Sequence, residues 1–272
     1  LLTLGMSFVF YFSSSLVTSY GESTRGMHLI MKIISIILLP IGLFVVANSF
    51  DIPEIVRTSI FIFISLLTYL AGIMIKKSEI EAKIMQVISG CIIPVSIFIT
   101  LDYVGIKSFG PGIYSTIFIS LSILYILSLL AINSIVFSIY SIGFSTLFMY
   151  SVTSYMVSLS PNMQLIDIME YLTLALSICY LLLSSYIKNT SHGSISRFLD
   201  LLGIIAFYTT VLILGGYSPG QSIFWEIIGI ASLCLGLYIS KITQNDIYLK
   251  ITSIFIFIFI GKFTGEYFVN SF

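Results

Sequence analysis

Long apolar runs, broken at short polar intervals, follow one another from end to end of this chain. Runs such as Ile60 to Ile75 do not alternate apolar with polar, so they lack the period of two that a half-buried strand shows. Most of them carry about 18 or more residues with few charges, the length at which a helix crosses the hydrocarbon core of a bilayer. The pattern predicts ten spans, at about 2–19, 33–50, 55–75, 84–101, 112–131, 134–157, 165–187, 198–217, 222–240 and 247–268. At a rise of about 1.5 Å per residue, each reaches about 30 Å. Ile, Phe, Ser and Tyr dominate the runs, a mix with strand propensity, but an open sheet edge in lipid leaves backbone groups unpaired. A closed barrel needs segments of about ten alternating residues, which are missing. The expectation is all-α: a polytopic transmembrane helical bundle forming a single transmembrane domain over residues 1–272. Its least marked division is Ala131-Ile132-Asn133-Ser134, placed there because Pro111 and Pro161 lie too far apart for one straight span.

The polar intervals sort into two sets. Loops 20–32, 76–83, 132–134, 188–197 and 241–250 hold Arg25, Lys32, Lys76, Lys77, Lys83, Lys188, Arg197, Lys241 and Lys250, nine of the 12 basic residues. Only Arg57, Lys107 and Lys262 belong to the other side, so the positive-inside rule places the basic loops (25–32, 76–83, 188–197, 241–250) in the cytoplasm. Both ends of the chain then lie outside, with an upstream span expected. The most charged interval, Lys76 to Lys83, reads as a solvated hinge between two spans. Each outer hairpin carries one proline ahead of its descending helix: Pro53, Pro111, Pro161 and Pro219. Proline suits that place because the first helical turn does not need its missing N–H. The spacing suggests a degenerate tandem repeat of two-helix hairpins, at about 33–83, 84–133, 134–197 and 198–246, with half-units at each end. Pro40 and Pro94 would kink the rising helices of the first two units.

Composition agrees. Charged residues make up 9% of the chain and hydrophobic ones 58%, against about 25% charged in soluble domains. The formal net charge of zero gives no reason to expect a nucleic-acid partner. Cys91, Cys179 and Cys234 lie in three separate apolar runs, where small packing residues are expected rather than disulfides or metal ligands. The opening Leu1-Leu2-Thr3-Leu4 has neither Met nor a basic segment and reads as a trimmed piece, not a signal peptide.

Chemistry-bearing residues are sparse. No predicted span carries an ionisable group near its middle, where one costs at least about 2.5–3.5 kcal/mol. Asp51, Glu54, Asp167, Glu170 and Glu226, with Asp102, form an outer acidic rim. They read either as a cation-attracting mouth or as wet acids complementing helix N-termini. Lys262 is the deepest cation, with a stem long enough to snorkel to the outer interface. His28 and His192 are loop residues without carboxylate or Cys at ligand spacing, so neither metal nor cofactor is expected. Gly-x-Ser-x-Gly, His-Glu-x-x-His and nucleotide-loop motifs are missing. The span 134–157 is the most polar: Ser134, Ser138, Ser141 and Ser145 fall on one helical stripe. That stripe reads either as the lining of a polar path or as a close-packing seam, and Ser232-x-x-x-Gly236 is a similar small-residue seam.

The closing segment, from Gly236-Leu237-Tyr238 through Lys250 to Gly265-Glu266-Tyr267-Phe268, resembles uncharacterised bacterial multi-spanning membrane families. The resemblance covers about 35 residues; it implies a bacterial inner-membrane protein and nothing about activity. The function expected is a non-enzymatic scaffold or complex subunit, in contact with the lipid bilayer and with a membrane protein partner. The alternative is a transporter or flippase for a lipid or small neutral solute. A membrane glycosyl-polymer enzyme fits less well, because the outer loops are short and acid-leaning.

Overall fold

A computed structural model of the chain describes residues 34, 35, 38, 42, 53–74, 79–106, 109–160, 164–188, 193–216 and 222–269. Eight helices stand among them: α1 Glu54–Met74, α2 Glu79–Tyr103, α3 Pro111–Ile132, α4 Ile135–Ser158, α5 Leu165–Ile187, α6 Gly193–Leu214, α7 Ile223–Thr243 and α8 Asp246–Thr264, continued by a π turn at Gly265–Val269. All eight are long and apolar enough to cross a membrane, and no strand occurs among the described residues. They correspond one to one with the last eight expected spans. The expected spans at 2–19 and 33–50 lie outside the described residues, apart from residues 34, 35, 38 and 42, as do Pro40 and its kink.

Backbone chemistry sets the helix ends. The Pro53 carbonyl accepts from Val56 and Arg57 N–H, and Pro111 is the first residue of α3, the places a residue without an N–H can occupy. Pro161 and Pro219 fall outside the described residues. Between α3 and α4 the chain reverses at Asn133, whose φ of 53° is left-handed and whose N–H donates to the Leu129 carbonyl. Asn tolerates that conformation better than a branched residue does. A second tight reversal joins α7 to α8 through Gln244, at φ 50°, and Asn245, whose side chain accepts from Ile247 N–H.

Two helix starts move most relative to expectation. Helix α2 starts at Glu79 and α6 at Gly193, inside the intervals 76–83 and 188–197 read as loops. Hydropathy stops at the edge of the apolar run, whereas a helix continues for a turn wherever its backbone bonds are made. In α6 that turn already buries Ile195 and Ser196. Pro94 lies inside α2, which runs on to Tyr103.

The described helices fall into two compact units. The boundary cuts α3 between Ile126 and Leu127 and α4 between Tyr140 and Ser141. The first unit contains α1, α2 and the α3–α4 reversal. Here α1 packs antiparallel on α2, with Gly72 opposite Gln86 and Ser65 opposite Ser96. The second unit contains the other parts of α3 and α4 together with α5 to α8. In it α5 packs on α6, and α6, α7 and α8 pack on one another around Ile204, Tyr208, Val211, Leu233, Ile251, Phe255 and Phe259. The closely packed pairs α1–α2 and α5–α6 are thus joined through the basic intervals, not through the proline loops.

Candidate functional site

Polar groups inside these helices fall into three groups, and the stripe on α4 comes first. Ser134 caps α4: its Oγ accepts from Val136 N–H at 3.3 Å and donates to Gln86 Oε1 of α2. The Gln86 amide in turn donates to the Gly72 carbonyl of α1 at 2.9 Å, so one buried side chain ties α1, α2 and the start of α4. Ser138 is buried and donates back to the Ser134 carbonyl at 3.0 Å; Ser141 is buried too. Ser145 and Ser122 share a 2.6 Å hydrogen bond between α4 and α3. Further along, Thr146 bonds Tyr180, and Tyr150 lies 2.5 Å from Thr173 Oγ1, both partners on α5. Within the stripe, Ser134 and Ser145 thus bond a neighbouring helix, while Ser138 bonds back to the start of its own. Gln86 escaped the sequence reading, although an amide inside a predicted span was the signal that could have found it.

The second group is the node at Asp200 of α6, a buried carboxylate. It accepts from Asn245 Nδ2 at 3.2 Å and from the Tyr248 hydroxyl at 3.1 Å, which fastens the α7–α8 reversal to α6. Beside it lies a groove of about 490 Å³ lined by Lys188, Ser196, Arg197, Thr243, Asn245 and Asp246, among others. Higher in the same bundle the Tyr208 hydroxyl donates to the Ser232 carbonyl and lies 3.1 Å from Thr252 Oγ1. This contact sits over Gly236 of the predicted small-residue seam. A Cβ at Gly236 would run into Tyr208 and lie 2.7 Å from Thr252 Oγ1.

The third group holds charge. Helices α7 and α8 run antiparallel in one register: Gly236 faces Thr252, Gly229 faces Phe259, and Glu226 comes opposite Lys262. Lys262 Nζ lies 3.3 Å from Glu266 Oε1 and 4.0 Å from Glu226 Oε1. The side chains are 7%, 5% and 9% exposed, respectively. Tyr267 donates its hydroxyl to Glu226 Oε2 at 3.3 Å. Glu266 is the second residue of the π turn, a geometry found often at functional sites. On the third side α6 ends at Leu214, and Gly215 leaves room for the lysine: a Cβ there would lie 2.9 Å from Nζ. Lys262 is thus buried between two carboxylates of α7 and the π turn.

The acidic rim resolves unevenly. Asp51 lies outside the described residues. Glu54 is exposed and paired with Arg57 at 3.4 Å in the first unit. In the second unit Asp167 is exposed and Glu170 half-buried on α5, while Glu226 is buried. Glu226 is thus a correction to the reading of a wet rim acid: facing Lys262 one turn into α7, it is drawn inward by an opposite charge. Glu266 was not singled out as a site residue, although its place four residues after Lys262 puts both on one helical face. Cys91, Cys179 and Cys234, expected as packing residues, are all exposed. No group of three or more His, Cys, Asp or Glu able to hold a metal occurs among the described residues.

Comparison of the chain with protein-family models, with curated proteins and with solved structures finds no match.

Proposed function

We propose that this chain is a membrane scaffold or complex subunit, an integral bundle whose work is to hold partners in the bilayer rather than to catalyse a reaction. One observation carries the reading: the Ser134, Ser145, Thr146 and Tyr208 hydroxyls and the Gln86 amide are engaged with neighbouring helices. Groups bonded in this way fix helix positions, and breaking the bonds to let a polar solute pass costs about 0.6–2 kcal/mol at each contact. The basic intervals are taken to face the cytoplasm of a bacterial cell, by the positive-inside rule. Native mass spectrometry of the full-length protein, extracted gently from its own membrane, tests the proposal. A stoichiometric protein partner is expected; a monomer carrying one tightly held solute or lipid would overturn it.

The second reading, a transporter or flippase for a lipid or small neutral solute, is favoured by the buried Lys262, Glu226 and Glu266. Ionisable groups inside a membrane bundle are costly and tend to sit where ions or substrates are handled.

A further inference from the structure

The charges around Lys262 do not balance. Two carboxylates face a single ammonium, and the helix ends tip the same way: Glu266 sits at the negative, C-terminal end of α8, and α6 also ends beside Lys262. Only Glu226, in the first turn of α7, has a helix N-terminus to favour it. Hydrogen bonding leaves the same deficit. Tyr267 donates to Glu226 Oε2, whereas both oxygens of Glu266 are buried without a hydrogen-bond donor among the described residues, Oε1 lying 3.3 Å from Lys262 Nζ. Glu226 Oε1 likewise accepts no hydrogen bond, its nearest cation being Lys262 at 4.0 Å. A buried carboxylate oxygen without a partner is expensive. What is missing is one positive charge that takes oxygen ligands, and hard cations do so.

We propose that Glu226 and Glu266 hold one monovalent metal cation, sodium or potassium, beside Lys262 at the meeting of α6, α7 and α8. A divalent ion would overcompensate the single net negative charge. The site holds whether the chain is a scaffold or a transporter: in the first case the ion locks the ends of three helices, and in the second it is available for coupling.

The test is thermal unfolding of the detergent-purified full chain at fixed ionic strength, with sodium or potassium chloride exchanged for N-methylglucamine chloride. The expected result is a midpoint that rises saturably with one alkali ion, by about 5 °C. In Glu266→Gln the alkali dependence should disappear, while the midpoint in glucamine stays at or above that of the wild type because the excess charge is gone. A wild-type midpoint equal in all three salts overturns the assignment, whatever the variant does. So does an alkali response that survives in Glu266→Gln, which places the ion elsewhere. A midpoint that follows pH but not the alkali ions means that a proton supplies the charge, and it too overturns the metal-ion site.

Discussion

Gln86 shows how a few polar side chains organise an apolar chain. Its amide reaches the Gly72 carbonyl on one side and Ser134 on the other, so Gln86→Ala strands two buried partners at once. The expected loss is about 1–3 kcal/mol, read by unfolding in detergent followed by helical circular dichroism. Exposed Ser120, which bonds only within its own helix, supplies the control: Ser120→Ala should change stability little. Gly236 is the complementary case, where nothing larger fits beneath Tyr208 and Thr252. Gly236→Ala is expected to destabilise by about 1–3 kcal/mol through overpacking. The sequence made the serine stripe and the Ser232–Gly236 seam legible, because helical spacing alone puts such residues on one face. It did not show their partners. Gln86 lies 48 residues from Ser134 in the chain, and no local pattern links them. The same blindness left Glu226 on a wet rim: its partner Lys262 comes from the next helix, and only their common register brings them together.

Helix identity was the most legible feature, since runs of this length in lipid have no other way to satisfy their backbone. Helix ends were less so. The starts at Glu79 and Gly193 extend past the apolar runs, and hydropathy does not register a polar turn that keeps its backbone bonds. The Ala131–Ser134 division was found from proline spacing, yet what makes the break is Asn133 in a left-handed conformation. Asn133→Val should therefore cost about 1–2 kcal/mol, while Asn133→Gly should be nearly neutral in the same unfolding measurement. At the α7–α8 reversal Asp200 ties the turn to α6. Asp200→Ala leaves Asn245 Nδ2 and the Tyr248 hydroxyl without their acceptor, a loss of about 1–3 kcal/mol. Asp200→Asn keeps an acceptor oxygen and should lose less, a difference that an unfolding comparison of the two variants resolves.

At the scale of the molecule, eight helices expose large apolar side chains such as Phe63, Leu130, Phe224 and Phe257, faces that suit acyl chains and would not suit water. The exposed cysteines give a check on this. Cys91, Cys179 and Cys234 should react in membranes with a lipid-soluble maleimide and stay unlabelled by an impermeant, charged one; labelling by the charged reagent on either face would place them in water. Packing does not establish the proline-loop repeat read from the sequence: α1–α2 and α5–α6 associate across basic intervals, while α6 also packs on α7. A proline at a helix start reports local backbone chemistry, which is why the sequence shows it, whereas helix pairing depends on side chains distant in the chain. The central claim is that polar groups within the spans join helices rather than line a path, and the double variant Ser138→Leu with Ser141→Leu measures it most directly. Both serines are buried on α4, so two leucines should lower unfolding stability by about 1–3 kcal/mol at each site. A double variant as stable as the wild type would mean that the stripe borders open space, and would contradict the account.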